Sequence, residues 1–305
     1  MMRLRCLLIA ALLSWSVLPA HAEEGPPTTS PGVPAGPPYS SLLPQPADRG
    51  FDLAMEMCFV TVTVAPVTEA NARRYVPAEY ALARDAGPQI LVGGANAGAV
   101  SQEGTAAVWD LACDLATVPG GAPGPARLSF VAVHIARPAS ADVYDSGIPP
   151  NVVPNTWSHH VVWAHTDNPA IARYLHEAGM PIELVDSFEF RSHAEGDDIA
   201  VASRVSPYRM TNNATVDDLV FGPHDHANEF WFNAGSHAAV LRLRLHYARD
   251  LDCVFTVQVD CRGEIHSPDG SPVADLLGST KVVTRYALRH HKVPIVNGSI
   301  GRGSR

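Results

Sequence analysis

Lysine is nearly absent from this chain of 305 residues: Lys281 and Lys292, both near the C-terminus, are the two that it has. With a formal net charge of −9 it has no basic run of the kind that binds nucleic acid or an anionic membrane, so neither partner is expected. A phosphate loop, a G-x-S-x-G elbow and a C-x-x-C motif are also missing, which removes the common signatures of nucleotide, hydrolase and thiol-redox sites. Beyond residue 22 no apolar run approaches the ~18 residues of a membrane-spanning helix.

The first 22 residues have the pattern of an export signal. Arg3 and Arg5 precede a short apolar core, and the residues from Ala20 to Ala22 form a small-x-small cleavage site. We expect cleavage near Ala22 and a mature chain that is soluble in the periplasm or outside the cell. Removing the two arginines takes the formal net charge from −9 to −11.

Residues 23–50 contain eight prolines and hardly any large apolar side chain. Such a segment cannot bury enough surface to offset its ordering entropy, so we expect a disordered tether. From Phe51 onward the composition is that of a globular protein. We expect one domain over residues 51–292, followed by a flexible tail over residues 293–305.

Four cysteines stay in the mature chain, which for an exported protein suggests two disulfides. Residues 253–261 alternate like a strand, and at ~3.3 Å per residue Cys253 and Cys261 would lie ~26 Å apart, beyond disulfide reach. Each is therefore expected to bridge to Cys58 or Cys113. The alternative is four buried thiols.

Strand signals dominate the globular part. Short runs of β-branched and aromatic residues occur at residues 58–64, 90–92, 128–135, 159–163, 188–190, 199–205, 229–232, 239–247 and 253–259. Helix signals cover residues 68–76, with Thr68 as the cap, while the periodicity of residues 280–289 is ambiguous. Many strands with few helices predict an α+β fold built on a mainly antiparallel, curved or closed sheet.

The most informative segment is residues 166–187, TDNPAIARYLHEAGMPIELVDS. Asn168 can cap a helix whose first position is Pro169. An apolar stripe follows at helical spacing, and Gly179 and Pro181 mark the end. A strand is expected from Ile182.

The amino-acid sequence of this segment resembles that of the acetoacetate decarboxylase family, with DNPAIA, a charged helix, a small-x-Pro turn and a V-D-S strand in this order. The run CFVTVTVAPVTEANARRYVPAEYAL resembles the family's opening strand and helix, and the order of elements matches over most of residues 51–288. The resemblance implies a cone-like β-barrel with an internal pocket. It also implies a Schiff-base lysine directly after the proline, but here Ile182 and Glu183 follow Pro181.

Two groups of residues are candidates for substrate binding. In residues 239–247 Arg242 and Arg244 occupy one face of a strand and leucines the other, so the arginines could grip a carboxylate in a barrel pocket. If residues 159–163 form a strand, His159 and His160 face opposite ways. One of these two, or His165, could then look into a pocket beside Glu183 and serve with it as an acid/base pair. In each group the alternative is an ordinary structural role.

His224 and His226, followed by Glu229, have the residue types of a metal site, but a solvated loop explains them as well. The sequence therefore predicts an exported protein that binds a small carboxylate or apolar molecule in a barrel, without a cofactor and without Schiff-base chemistry. The alternatives are a lyase-like enzyme with altered acid/base chemistry at Glu183 and a metal-dependent enzyme at His224 and His226. A homo-oligomer is compatible with each.

Overall fold

A computed structural model of the chain describes residues 52–83, 91–92, 95–96, 105–138, 156–213, 224–235, 237–247 and 254–302. The helices are α1 (Glu69–Ala72), α2 (Pro169–Glu177) and α3 (Pro272–Leu277). The strands are β1 (Leu53–Pro66), β2 (Leu91–Val92), β3 (Ala95–Asn96), β4 (Thr105–Thr117), β5 (Gly124–His134), β6 (Thr156–Thr166), β7 (Ile182–Leu184), β8 (Phe188–His193), β9 (Gly196–Val201), β10 (Tyr208–Asn212), β11 (His224–Ala234), β12 (His237–Tyr247), β13 (Val254–His266) and β14 (Lys281–Arg302).

Seven strands form a closed barrel in the order β1-β4-β5-β6-β11-β12-β14, and β14 pairs back with β1. Neighbouring barrel strands are antiparallel except β6 and β11, which are parallel. The short strand β7 adds a second parallel pair on β6. The predicted α+β fold with a curved, closed sheet is confirmed, although the sheet is mixed.

Strand β14 belongs to both the barrel and a second sheet layer. Its first half pairs with β13, from which the sheet continues through β10 and β9 to β8. Its second half pairs with β12 from Ile295 to Arg302 and with β1 up to Gly298. The expected flexible tail over residues 293–305 is therefore wrong as far as Arg302: these residues belong to β14, which closes the barrel through its pairing with β1 and β12.

Apolar side chains line the barrel interior. All seven strands contribute to one cluster of contacting buried residues, among them Val62, Trp109, Phe130, Phe230 and Leu243. Helix α2 closes onto the same cluster through Ile171 and Leu175. Because side chains alternate along a strand, the neighbouring positions of each strand lie on the outer face of the barrel wall.

A second apolar cluster lies on the outer face of the wall. Val108, Val133 and Trp231 from the barrel contact residues of the layer formed by β8, β9, β10 and β13 and of helices α1 and α3. We call this layer the covering sheet. Polar residues that face outward from the barrel are therefore buried where the covering sheet lies over them.

Cys58 and Cys113 form a disulfide. They are direct partners in the register between β1 and β4, with their Cα atoms 4.1 Å apart. The prediction that Cys253 and Cys261 each bridge to Cys58 or Cys113 is wrong. The neighbouring strands β1 and β4 place Cys58 and Cys113 opposite one another, so these two bridge to each other. Cys253 and the side chain of Cys261 lie outside the described residues.

The expected helix at residues 169–178 is present as α2. The Asn168 side chain accepts hydrogen bonds from the N–H groups of Ala170 and Ile171, and Pro169 occupies the first turn. Gly179 follows the helix with φ +92°. None of the helices formed by the described residues is long and apolar enough to cross a membrane.

Candidate functional site

Arg242 binds a carboxylate that belongs to the protein itself. Its Nη2 lies 3.3 Å from Oε1 of Glu229, the residue opposite it on β11. Arg137 also binds this carboxylate, with Nη2 3.1 Å from Oε1, and Ser158 donates a 2.9 Å hydrogen bond to Oε2. The side chain of Glu229 is completely buried. The two arginines and Ser158 compensate the buried charge of Glu229, because an unpaired buried carboxylate would be strongly destabilising.

The predicted arginine face is turned away from the barrel interior. Leu241, Leu243 and Leu245 belong to the interior cluster, so the alternating positions of Arg242 and Arg244 lie on the outer face of the wall. An arginine grip on a ligand carboxylate inside the barrel has no support from this geometry. Arg242 is nearly buried and Arg244 is half-buried.

The Glu183 side chain binds the turn that follows β9, at Ser203 and Arg204. Its carboxylate accepts hydrogen bonds from the hydroxyl of Ser203 and, at 2.9 Å, from the N–H of Arg204. Burial acts to raise the pKa of Glu183, but the hydrogen bonds from Ser203 and the backbone N–H groups of Arg204 and Val205 outweigh it and lower the pKa. A carboxylate stabilised in its charged form by three donors is a weak proton acceptor.

His165 is the register partner of Glu183 on β6 and is completely buried. Burial lowers its pKa to about 4, and neither the Glu183 carboxylate nor a backbone contact with Ser206 reverses this. Of the three candidate histidines, His165 is thus the one registered opposite Glu183, and its imidazole is neutral at pH 7. His160 lies on the opposite face of β6 from His159, as the predicted strand requires, and contacts the ring of Tyr80.

A row of polar residues that sequence analysis did not single out runs across the outer face of the barrel wall. Register pairs link neighbouring strands from β14 to β7 through Arg289, Thr61, Asp110, Ser129, His165 and Glu183. The covering sheet buries most of this row. The apolar run of β4 contains two aspartates, and the local sequence does not show that Asp110 is buried and Asp114 exposed.

Asp110 is the most perturbed acid of this row. It is completely buried, and Tyr208 of the covering sheet donates its hydroxyl to Oδ1. Ser129 lies within hydrogen-bond distance of the same tyrosine hydroxyl. The pKa of Asp110 is raised to about 7, and burial is the main cause. The charge of Asp197 also raises this pKa, while the hydrogen bonds from Tyr208 and Ser129 act to lower it. The same burial raises the pKa of Tyr208 well above its ordinary value.

At the β14 end of the row, Arg289 and Asp197 form a buried ion pair. Arg289 donates to both carboxylate oxygens of Asp197, each at 2.8 Å, and also to Ser192 and to the carbonyl groups of His193 and Gly196. Their side chains are 1% and 3% exposed. The pair ties the β8–β9 hairpin of the covering sheet to the barrel.

The barrel interior holds a few polar side chains among aromatic rings. Trp109 Nε1 donates a 3.3 Å hydrogen bond to Nε2 of His159, whose ring stacks on Phe230 at 5.2 Å. The His134 ring lies 4.3 Å from that of His159. Burial lowers the pKa of His134 to about 4. The His134 ring is therefore uncharged at neutral pH.

Asn228 lies two residues before Phe230 on the same face of β11, and hence on the interior face. It is completely buried, and neither its amide oxygen nor its amide nitrogen has a hydrogen-bond partner among the described residues. A buried polar group without a partner costs about 1–3 kcal/mol, so native structures seldom keep one without a water or a ligand. Nothing in the local sequence distinguishes this asparagine from a solvent-exposed one.

Ile182, the residue after Pro181, packs against the apolar cluster of the barrel interior. Its neighbour Glu183 points to the opposite side, where it reaches Ser203. The position at which the family resemblance implies a reactive lysine is thus occupied by an apolar side chain. Lys281 lies elsewhere, exposed and 3.0 Å from Glu264.

The predicted metal residues fall mostly outside the described side chains. His224 and His226 are part of β11, but their side chains are not described. Glu229, the carboxylate of that prediction, is bound by Arg137 and Arg242. Within the described ranges, no group of three or more histidine, cysteine, aspartate or glutamate side chains could hold a metal ion.

A cavity of about 380 Å³ lies outside the barrel, between the wall and β8. Phe59, Ala112 and Arg127 line it from the wall, and Phe190 and Ser192 line it from the covering sheet. The remaining lining residues are Cys113, Asp114, Pro125, Ala126 and Asp167. A groove of about 420 Å³ lies on the covering sheet, with Glu189, Arg209 and His266 among its lining residues.

No protein-family model and no curated protein matches this chain. Among solved structures it is similar to an acetoacetate decarboxylase from Legionella pneumophila, with 9% identity, 84% of this chain and 88% of that chain covered, and a TM-score of 0.49. An acetoacetate decarboxylase-like enzyme from Sphingomonas wittichii has 11% identity over 86% and 97% of the two chains, with a TM-score of 0.45. The enduracididine biosynthesis enzyme MppR has 12% identity over 82% and 87%, also with a TM-score of 0.45.

These solved structures are acetoacetate decarboxylases and related enzymes, the same family that the sequence resembles. Their identities of 9–13% and TM-scores below 0.5 transfer no residue role and no activity. What the chain shares with acetoacetate decarboxylase-like enzymes is a similarity of overall arrangement.

Proposed function

We propose that this chain is an exported protein that binds a small molecule non-covalently inside its β-barrel and does not catalyse Schiff-base decarboxylation. The observation that carries the proposal is the Asn228 amide, which is buried in the barrel interior without a partner among the described residues. A ligand that accepts from its N–H₂ and donates to its oxygen would remove this cost.

The surroundings of Asn228 favour an uncharged ligand. His134 and His159 share this interior, and burial keeps His134 neutral. The buried arginines among the described residues, Arg242 and Arg289, lie on the outer face of the wall and are bound by Glu229 and Asp197, and no described lysine is buried. A carboxylate would be buried there without a cation, which is costly. Of the two predicted ligand classes, the structure supports the apolar one, carrying a hydrogen-bonding group such as a carbonyl or hydroxyl.

Ile182 supports the absence of Schiff-base chemistry. A Schiff base forms when a neutral, desolvated amine attacks a carbonyl carbon. An isoleucine side chain has no such amine, and the ammonium group of Lys281 is solvated and paired with Glu264. The lyase-like alternative at Glu183 has less support, because Ser203 and Arg204 stabilise that carboxylate in its charged form.

Two observations support export. The first 22 residues have the three parts of a signal sequence. The Cys58–Cys113 disulfide is of the kind that persists in oxidising compartments. Mass spectrometry of the secreted or periplasmic protein, with an expected N-terminus at Glu23, tests cleavage near Ala22.

The binding proposal is tested by native mass spectrometry and thermal shift with matched ketones, alcohols and carboxylic acids of the same carbon skeleton. We expect ketones or alcohols to bind and to raise the melting temperature more than the acids. Asn228→Leu should abolish this binding, whereas Asn233→Leu, an exposed position on the same strand, should not. A panel without any saturable ligand, or binding that Asn228→Leu leaves intact, would contradict the proposal.

Schiff-base chemistry is tested separately by incubating the protein with acetoacetate and borohydride. No covalent adduct is expected, and a lysine adduct found by peptide mapping would overturn this part of the proposal. Metal analysis of the purified protein tests the alternative at His224 and His226: stoichiometric zinc, iron or copper would favour it.

A further inference from the structure

The cavity outside the barrel, which we call the wall cavity, is separate from the interior around Asn228. Its floor is one register row on the outer face of the wall: Phe59 on β1 pairs with Ala112 on β4, and Ala112 pairs with Arg127 on β5. Its other side is formed by Phe190 and Ser192 of β8. The small side chain of Ala112, between two long neighbours, leaves the space open.

Two aromatic rings border this space. Phe59 and Phe190 come from different layers, and both are half-buried. Proline and alanine side chains add to the apolar lining. The volume of about 380 Å³ lies within the range of about 300–1,000 Å³ that is typical of small-molecule sites.

The charges of the wall cavity are unbalanced. Arg127 is already engaged by Asp167, which accepts its backbone N–H and its Nη1, each at 2.7 Å. Asp114 is exposed and has no ion-pair partner among the described residues. One arginine and two aspartates leave the lining with one net negative charge. A ligand with a positive charge would restore neutrality, and the aromatic faces of Phe59 and Phe190 can also attract a cation.

We infer that the wall cavity binds a small primary or secondary amine, with an apolar or aromatic body between Phe59 and Phe190 and its ammonium group directed to Asp114. This site is additional to the barrel site of the proposed function. An anion is disfavoured because the charge of Arg127 is taken up by Asp167. A neutral molecule of the same shape would leave Asp114 without a counter-charge.

The test uses three compounds with one body: phenethylamine, 2-phenylethanol and 3-phenylpropionate. In calorimetric titrations of the full chain at pH 7 and low salt, we expect saturable binding of the amine. The alcohol and the acid should bind at least five times more weakly. The preference for the amine should shrink in 0.5 M salt, because screening weakens the contact with an exposed carboxylate. Equal binding of all three compounds, or no binding of the amine, would overturn the inference.

Variants locate the site. Asp114→Asn should weaken amine binding at least fivefold, and Phe190→Ala should weaken the amine and the alcohol alike. Asp198→Asn, on an exposed residue that does not line the cavity, is the matched control and should change nothing. Asn228→Leu separates the two sites: amine binding should survive it. If Asn228→Leu abolishes amine binding, the amine occupies the barrel and the wall-cavity inference fails, whereas loss of ketone binding alone concerns only the barrel proposal.

Discussion

The hydroxyl of Tyr208 on β10 donates a hydrogen bond to the buried carboxyl group of Asp110 on β4. This contact joins the covering sheet to the barrel wall at the centre of the polar row. The two residues are 98 positions apart in the sequence, and each supplies the other with a hydrogen-bond partner in a buried environment. Because burial raises the pKa of Asp110 to about 7, the stability of the junction depends on pH.

The first prediction concerns this dependence. A carboxyl group whose folded pKa exceeds its ordinary value stabilises the fold at low pH, and this contribution is lost as pH rises from about 4 through about 7. Asp110→Asn mimics the protonated form. We expect its free energy of unfolding to equal or fall below that of the wild type at pH 5 and to exceed it at pH 8.

The measurement is urea unfolding at several pH values, read as the difference between variant and wild type. His134, His160 and His165 affect the free energy of unfolding in the opposite sense, because burial lowers the pKa of each to about 4. These contributions are the same in variant and wild type, so they cancel in the difference between the two. Asp114→Asn on the same strand is the exposed control. A difference for Asp110→Asn that does not change with pH would contradict the raised pKa.

The second prediction concerns the buried ion pair of Arg289 and Asp197. Arg289→Met leaves Asp197 buried without its cation, so we expect a loss of about 3–5 kcal/mol in the free energy of unfolding. The double variant Arg289→Met/Asp197→Leu should recover part of this loss. Arg191→Met, which breaks an exposed pair with Glu189, should cost less than about 1 kcal/mol. Equal losses in Arg289→Met and Arg191→Met would show that burial of the pair has no energetic consequence.

The third prediction concerns the start of α2. Asn168→Ala removes the acceptor for the N–H groups of Ala170 and Ile171 and should cost about 1 kcal/mol. Asn168→Asp keeps that acceptor but loses the 3.1 Å hydrogen bond from Nδ2 to the carbonyl of Pro125, and we expect a smaller loss. Thermal unfolding of both variants distinguishes the cap from the loop contact: the two losses would be equal if only the contact with Pro125 mattered.

The fourth prediction compares two glycines with positive φ. A Cβ on Gly179 would lie 2.8 Å from Cβ of Ala234, whereas a Cβ on Gly120 would meet nothing within 4 Å. Both substitutions by alanine incur the backbone cost of roughly 1–2 kcal/mol for this region. Gly179→Ala should therefore lower the melting temperature more than Gly120→Ala. Similar shifts would mean that the contact with Ala234 relaxes without cost.

The fifth prediction concerns the disulfide. Peptide mapping without reductant should recover Cys58 linked to Cys113, and a link from either to Cys253 or Cys261 would contradict the structure. Replacing both Cys58 and Cys113 with serine opens a loop of 55 residues. We expect the double variant to lose about 2–4 kcal/mol in the free energy of unfolding, measured under oxidising conditions.

Local signals predicted some elements well and others not at all. Helix α2 was predictable because Asn168, Pro169 and Gly179 each perform a local task at its ends. Strand β4 was missed, since its alanine-rich sequence TAAVWDLACDLAT is apolar on both faces and shows no alternation. Helix α3 was also missed, although Ser271 caps it and Gly278 ends it in the left-handed conformation.

The candidate site was less predictable than the fold. One of His159, His160 and His165 was expected beside Glu183, and only the parallel pairing of β6 and β7 shows that His165 is the register partner. Asp110 and Asn228 were not singled out, because nothing in their immediate sequence shows that they are buried. The two faces of β12 were separated correctly, but alternation alone does not tell which face the barrel encloses.

The sequence by itself determined the strand-rich character of the domain, both ends of α2, the resemblance to acetoacetate decarboxylases and the isoleucine after Pro181. These features depend on residue type and local spacing. Only the tertiary structure decided that Cys58 pairs with Cys113, that residues up to Arg302 close the barrel, and that Arg242 faces Glu229 instead of the interior. These outcomes depend on which strands become neighbours and in which register, and register is set by packing between residues far apart in the chain.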